Sequence, residues 1–193
     1  MARIAKLKKY QRKKFRRYKE LNEITTKNDE AYIFLKVKDI ESILSEYASE
    51  QRPMLKPEFY EAIENKASFI PLDVPLVLQI QNSTFTSTEK ILIRKLIKNY
   101  FDLKRVEKEI IEDSLSRKAR FLFTVGIIGI CVLTVLWSNP TASFLTEVVS
   151  VLASFSIWEF GSLMLFDYDD VKEQIIKYNH LSKIRIIYDK DFQ

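Results

Sequence analysis

The segment from Phe121 to Trp137 has the sequence FLFTVGIIGICVLTVLW and contains 17 residues without a charged side chain. A helix rises about 1.5 Å per residue, so this segment extends about 25 Å, which approaches the hydrocarbon thickness of a bilayer. Arg117, Lys118 and Arg120 precede it, and Trp137 at its far end suits a membrane interface. The segment therefore predicts a membrane-spanning helix.

A second apolar run, Thr141 to Phe166 (TASFLTEVVSVLASFSIWEFGSLMLF), follows a short link at Ser138 to Thr141. A link of this length joins antiparallel neighbours. Lys and Arg are frequent on both outer flanks but absent from the link, so the positive-inside rule predicts two cytoplasmic termini. We expect a transmembrane hairpin with spans at 121–137 and 142–166. A soluble helical hairpin is disfavoured, because the rest of the chain is too small to cover it.

Small side chains in the two spans would allow the helix backbones to approach closely and would support a homo-oligomer. We predict helix contacts at Gly126, Gly129, Ser150, Ser154 and Gly161. The single cysteine, Cys131, is interpreted as a small apolar filler, because a thiol in hydrocarbon is neither ionised nor accessible.

Two carboxylates interrupt the second run. Glu147 follows the link closely and is interpreted as a marker of the outer interface. Glu159 would lie about 11 Å inside the cytoplasmic end of the span, where an unpaired charge is costly. Three interpretations of Glu159 stay open: a protonated or snorkelling structural acid, a hydrogen bond across a homo-oligomeric interface, and a polar pathway.

The N-terminal arm carries the excess positive charge. Ten of the 31 Lys and Arg residues lie between Arg3 and Lys19, which leaves 21 cations against 26 acids in residues 20 to 193. The apolar side chains of the arm fall within an arc of about 140° on a helical projection. We expect a basic amphipathic arm at residues 1–28 that contacts lipid or another anion through Lys8, Lys9, Arg12, Lys13, Lys14, Arg16 and Arg17. A solvated, partly disordered tail and a nucleic-acid contact are the alternatives.

Composition excludes several classes of protein. The chain has 193 residues with only 3 Gly, 5 Pro and 1 Cys, which excludes collagen-like, low-complexity and disulfide-stapled proteins. Three glycines also leave no room for a glycine-rich phosphate loop. Cations interrupt the N-terminal residues every few positions, so we expect no cleaved signal peptide.

The remaining residues predict a small cytoplasmic α/β domain. Aliphatic and aromatic runs predict about three strands, at Tyr32–Val37, Pro75–Gln81 and Lys183–Tyr188. Helices are expected at Lys38–Tyr47, from Pro57 to about Lys66, from a Thr86–Glu89 capping box into the first span, and at Asp169–Leu181. The third strand follows the hairpin. We therefore expect an α+β membrane protein, with the hairpin (119–166) inserted into one domain made of residues 29–118 and 167–193.

Motifs that carry chemistry are scarce. His180 is the only histidine, and no Walker, zinc, G-x-G-x-x-G or nucleophile-elbow pattern is present. Asp167, Asp169 and Asp170 are a candidate cation site, but acids are also typical of a solvated helix N-terminus. We expect a protein that is not an enzyme and that has no metal or cofactor.

The stretch Ser156-Ile157-Trp158-Glu159-Phe160 and the order of elements from about Tyr32 to Tyr188 carry a resemblance. In this stretch and in this order of elements, the chain resembles an uncharacterised family of bacterial inner-membrane proteins with two spans and a cytoplasmic α/β domain. The resemblance implies a bacterial inner-membrane location. It implies no activity.

The leading hypothesis is an oligomeric effector or sensor. Its cytoplasmic domain would respond to an unknown ligand or protein partner and control the hairpin through the long helix. In the sharpest form of this hypothesis the hairpin disrupts the membrane in antiviral defence. A second hypothesis is a membrane-anchored scaffold that recruits a protein or nucleic acid through the basic arm. A transporter subunit is the third, and it would need further helices because two enclose no path.

Overall fold

A computed structural model of the chain describes residue 15 and residues 25–27, 29–49, 51–81, 85–137 and 143–188. The architecture is α+β. The chain divides into two compact units, of which the first comprises residues 1–105 and 176–193 and the second comprises residues 106–175. The second unit is thus an insertion in the sequence of the first. It extends beyond the predicted hairpin at both ends, because helical structure continues past the apolar residues.

The first unit contains a sheet with the strand order β1-β2-β3-β4. The strands are β1 (Thr25–Lys27), β2 (Glu30–Lys36), β3 (Leu76–Gln81) and β4 (Arg185–Tyr188). Strands β2, β3 and β4 are parallel, and β1 is antiparallel to β2. The three predicted strands are therefore confirmed as neighbours in one sheet.

Strand β1 is a fourth strand beyond the three that the sequence predicted, and it lies within the residues assigned to the arm (1–28). Its sequence, TTK, has no apolar residue, so hydrophobic alternation gives no signal for it. It pairs through the tight turn that precedes β2, where Asp29 has φ 59°. Asp tolerates this left-handed conformation better than most residues.

The core of the first unit lies on both faces of β3. Leu76, Val77, Leu78 and Ile80 are all at most 4% exposed, as is typical of a central parallel strand. Helix α1 (Pro57–Ala67) packs on the sheet through its buried residues Phe59, Tyr60, Ile63 and Ala67, and its prediction is confirmed. Burial raises the pKa of the Tyr60 hydroxyl to about 12.

The predicted helix at Lys38–Tyr47 is wrong. These residues form turns, and their backbone groups pair with the segment that follows them. The Ser45 N–H donates to the Met54 carbonyl at 2.8 Å, and the Lys56 N–H donates to the Ile43 carbonyl at 2.8 Å. These pairings give the backbone partners outside a helix, so tertiary contacts override the apolar spacing of this segment.

Helix α2 (Ser87–Leu136) is a single helix of 50 residues, as the absence of Pro and Gly before Gly126 predicted. The predicted capping box is formed at its start. The Thr86 N–H donates to Glu89 Oε2 at 2.7 Å, and the Glu89 N–H donates to Thr86 Oγ1 at 3.3 Å. In the first unit α2 buries Ile93, Ile97 and Phe101 completely.

The second apolar run forms helix α3 (Ser143–Ser162), and a π-helical turn at Leu163–Asp167 joins it to helix α4 (Tyr168–Ser182). Two separate helices were expected here, with a break at the aspartates. The helix continues because neither Pro nor Gly lies between Ser162 and Ser182, and a wider π turn absorbs the change of register. The predicted link between the spans, 138–141, lies outside the described residues.

Candidate functional site

Helices α2 and α3 pack against each other in the second unit. Gly126 lies opposite Ile157, Gly129 lies opposite Ala153, and the rings of Phe123 and Phe160 are 5.0 Å apart. In these pairs the residue number rises on one helix as it falls on the other. The two helices are therefore antiparallel, which is the hairpin direction that the short link predicted.

The contact between α2 and α3 is close because of the glycines. A Cβ atom on Gly129 would lie 2.8 Å from the Ala153 Cβ, and one on Gly126 would lie 2.5 Å from the Ile157 Cδ1. From α3, Ala153 and Ser156 are buried at this contact, and the Ser156 hydroxyl donates to the Leu152 carbonyl at 2.8 Å. That bond satisfies the hydroxyl within its own helix.

The other predicted contact residues lie outside the contact between α2 and α3, and their predicted role in a homo-oligomer stays a prediction. Ser150 and Ser154 are exposed on α3, and no atom lies within 4 Å of the position that a Cβ on Gly161 would take. Ser156 was missed by the prediction, although its three-residue spacing from Ala153 places both on one helical face. Composition identified the small residues, but only the packing shows which of them face the neighbouring helix.

The outer surface of the helix pair is apolar and uncovered. Both helices contain an 18-residue window that is long and apolar enough to cross a membrane, and only 11% of each window is buried. The exposed side chains include Phe121, Ile128, Val135, Trp137, Phe144, Val151, Leu152, Phe155 and Trp158. A core helix of a soluble protein would be mostly buried.

The polar groups of the apolar helices have different surroundings. Glu147 is exposed near the start of α3, and Cys131 is exposed on the surface of α2. Glu159 is half-buried, and its carboxylate has no hydrogen bond or ion pair within the part of the chain that the structure describes. Among the described residues, Glu159 is therefore a carboxylate on an apolar helix without a partner.

A hydrogen bond joins α2 and α4 just after the apolar run. Tyr168 bonds to Glu112, and this bond is the main cause that raises the pKa of the Tyr168 hydroxyl above its usual value of 10. Burial and the negative charges of Glu112, Asp113 and Asp169 act in the same direction. The bond connects α2 to the start of α4, which follows α3 through the π-helical turn.

The predicted contact residues of the N-terminal arm, from Lys8 to Arg17, lie outside the described residues. Phe15 is the exception within the arm, and it packs against the hydrophobic core of the first unit. One aromatic residue of the predicted apolar arc thus contacts protein.

A cavity of about 480 Å³ lies in the first unit beside the edge strand β4. We call it the basic cleft, and its lining residues are Arg94, Lys98, Asp102 and Arg105 on α2, together with Asn179, Ser182, Lys183, Ile184 and Ile186. The α2 residues follow at intervals of four, four and three, so they share one face of the helix. Lys183 faces them from the segment after α4.

Some polar groups of the basic cleft have structural partners. Arg94 Nη2 donates to the Ile186 carbonyl at 3.4 Å and so covers the open edge of β4. Arg105 Nη2 lies 3.8 Å from Asp102 Oδ1. Ser182 is 8% exposed, and its hydroxyl donates to the Asn179 carbonyl at 3.3 Å.

The sequence prediction did not find the basic cleft, because Lys and Arg before the first span were considered only as flanking charges for the positive-inside rule. The helical spacing of Arg94, Lys98, Asp102 and Arg105 was the available signal. No spacing rule connects these residues to Lys183, since the two segments lie almost 80 residues apart.

A second cavity, of about 310 Å³, is lined by His180, Asp73, Lys183, and the ion pair of Arg185 with Glu30. His180 Nε2 lies 2.8 Å from the Val74 carbonyl oxygen, so this nitrogen carries the proton and donates it. Burial lowers the pKa of His180, the Val74 bond and Asp73 raise it, and Lys183 lowers it. Among the described residues no group of three His, Cys, Asp or Glu is placed to hold a metal ion.

Comparisons were made with protein-family models, with curated proteins and with solved structures. None of the three finds a match for this chain, so its function is argued from its own chemistry and geometry.

Proposed function

We propose that the protein is an oligomeric membrane effector of the bacterial inner membrane. Helices α2 and α3 cross the bilayer as a hairpin with both termini in the cytoplasm. The α/β unit responds to a ligand or partner and controls the hairpin, which disrupts the membrane in a defence response. In this proposal the protein is not an enzyme.

The uncovered surface of the hairpin is the observation that carries the proposal. Only 11% of each apolar window is buried, and the exposed side chains include two tryptophans and several phenylalanines. Each large apolar side chain gains about 1.5–3 kcal/mol when it leaves water. Lipid, or further copies of the hairpin in lipid, would supply that gain along the apolar window of each helix.

The composition of the two helices supports self-association as part of the proposal. A hairpin of two helices encloses no path, so permeabilisation requires several copies. Glu159 has no internal partner within the described residues, and an ionisable group in hydrocarbon is stabilised by a polar group on a neighbouring helix. A second copy of the hairpin would offer such a group.

Membrane potential in cells that express the intact chain tests this function. We expect the potential to collapse with the intact chain and to persist with Glu159→Gln, which removes the charge and changes little else. Glu147→Gln is the matched control, because it makes the same change at an exposed position near the start of α3. An unchanged potential at every oligomeric state of the intact chain would contradict the permeabilising function.

A scaffold function is the second candidate, and the charge of the arm favours it. The arm contains ten cations and no acid between Arg3 and Lys19. This concentrated positive charge would attract an anionic protein or nucleic acid. The scaffold predicts that deletion of residues 1–20 abolishes activity and that Glu159→Gln has no effect. The effector function predicts a large effect of Glu159→Gln and a smaller effect of the deletion.

A further inference from the structure

We infer that the basic cleft binds a small phosphorylated molecule with at least two negative charges. The inference names a ligand class for the sensing role proposed above and rests on that role. The binding itself is measurable on the purified chain, whatever the hairpin does to a membrane.

The charge of the cleft is opposite to that of the protein around it. Its lining contains four cations and one carboxylate, a net charge of +3. Residues 20 to 193 contain 21 cations against 26 acids, so the cleft is more basic than this part of the chain is on average. A concave surface that concentrates one sign of charge raises the local concentration of the opposite ion.

The internal partners of the cleft do not neutralise this charge. Arg94 donates to the Ile186 carbonyl, and Asp102 lies beside Arg105. Neither Lys98 nor Lys183 has an ion pair within the described part of the chain. Two ammonium groups that line one cavity repel each other, and a bound anion would remove that repulsion.

The size and lining of the cleft fit a small organic phosphate. A volume of about 480 Å³ lies within the range of ligand cavities, about 300–1,000 Å³. Ile184 and Ile186 supply an apolar wall, and the buried Ser182 hydroxyl supplies a polar contact. A single carboxylate would leave a net positive charge behind, whereas a phosphate monoester or diphosphate matches the excess, and Arg and Lys both bind phosphate well.

The cavity at His180 provides a contrast within the same unit. There Glu30 forms an ion pair with Arg185, and the His180 ring already bonds to the Val74 carbonyl. Lys183 lines both cavities, but Lys98, Arg94 and Arg105 accompany it only in the basic cleft. The excess of positive charge is therefore greater in the basic cleft than in the cavity at His180.

The phosphate could be free in the cytoplasm or part of a lipid headgroup, and two measurements separate these sources. In the first, the full chain in nanodiscs of neutral phosphatidylcholine is titrated with inorganic pyrophosphate and with ATP by calorimetry. In the second, native mass spectrometry compares phosphatidic acid with phosphatidylcholine bound to the detergent-solubilised chain. Binding in the first indicates a soluble ligand, and selective binding in the second indicates a headgroup.

The variant Lys98→Ala/Lys183→Ala tests whether the cleft is the site. We expect it to weaken binding of the phosphate probe at least tenfold. Lys95→Ala/Lys66→Ala is the matched control, because it removes two exposed cations that do not line the cleft, and we expect unchanged binding. Lys98→Arg/Lys183→Arg keeps both charges and should restore most of the affinity, which separates a charge effect from a folding defect.

The outcomes are decisive for the cleft. Loss of binding in the cleft variant alone supports the inference in either measurement. It is overturned if no phosphate probe binds in either measurement, or if the control variant weakens binding equally. A chain that binds phosphate but leaves the membrane potential intact would support this site and contradict the effector function.

Discussion

At the scale of single residues, Gly126 and Gly129 face atoms that differ in their freedom to move. A Cβ on Gly126 would meet the end of the flexible Ile157 side chain, which can change rotamer. A Cβ on Gly129 would meet the Ala153 Cβ at 2.8 Å and its Cα at 3.4 Å, and neither atom can move without the helix. The same added methyl group should therefore lower the free energy of unfolding by a different amount at each glycine.

We predict that Gly129→Ala lowers the free energy of unfolding by about 1–3 kcal/mol, because the two helices must move apart. Gly126→Ala should lower the free energy of unfolding by a smaller amount. The control is Gly161→Ala, which adds the same methyl group to the apolar helix α3 with nothing within 4 Å of it, and it should cost nothing. Unfolding of the three variants in mixed detergent micelles measures the order of their losses in stability. Equal losses for all three would contradict the antiparallel contact described above.

Because the pKa of His180 is lowered in the folded chain, we predict that the stability of the protein depends on pH. Its pKa is lowered in the folded state, chiefly by burial, so below its ordinary value of 6.5 the unfolded chain takes up the proton more readily. The contribution of His180 to stability is therefore full above about pH 6.5 and is lost as the pH falls below that value.

We expect denaturation midpoints between pH 7 and pH 5 to fall more steeply for the intact chain than for His180→Gln. Glutamine keeps an N–H donor for the Val74 carbonyl and removes the titration. Parallel pH profiles for the two chains would show that His180 does not titrate differently on unfolding.

At the scale of the helix, the capping box at the start of α2 makes a defined contribution. We predict that Thr86→Ala lowers stability by about 1 kcal/mol, because the Glu89 N–H then loses its acceptor at the helix N-terminus. Ser87→Ala is the control, because Ser87 is exposed one residue further on. Thermal unfolding followed by circular dichroism measures both variants, and an equal loss in the control would contradict a specific cap.

At the scale of the whole molecule, the single native cysteine reports on insertion into a membrane. Cys131 is exposed on the outer surface of α2, in the middle of the apolar segment. In water it would react with a maleimide, but in hydrocarbon the thiolate does not form and a charged reagent has no access.

We predict that a membrane-impermeant maleimide labels Cys131 in sealed or opened vesicles only after denaturation with SDS. The control is Cys131→Ser combined with Tyr47→Cys, because Tyr47 is 99% exposed in the first unit, and it should react at once in opened vesicles. Rapid labelling of native Cys131 would place the apolar helices in water and remove the basis of the proposed function.

Several features were predictable because their causes are local. The three parallel strands, α1, the capping box and the continuity of α2 follow from residue type and spacing within one segment. β1 was not predictable, because three polar residues give no pattern and its pairing depends on the turn at Asp29. The segment 38–47 was mispredicted, because apolar spacing indicates a helix but carries no information on distant backbone partners.

The candidate sites also contain some features that local sequence predicted and others that it did not. A run of 17 uncharged residues predicts the apolar helix from composition alone, and the short link predicts its antiparallel neighbour. Composition also identifies Gly126, Ser154 and Gly161 as small, but it does not show that, of these three, Gly126 lies at the contact between α2 and α3. That distinction depends on the rotation of one helix against the other.

The sequence by itself determined that two long apolar helices follow each other and that the positive charge is concentrated at the N-terminus, because both are properties of consecutive residues. Only the tertiary structure decided that Lys183 joins Lys98 and Arg105 around one cavity and that Glu159 has no partner among the residues that the structure describes. The physical reason is that β4 pairs with β3 after the whole hairpin has intervened. Long-range backbone pairing brings these groups together, and no local pattern records it.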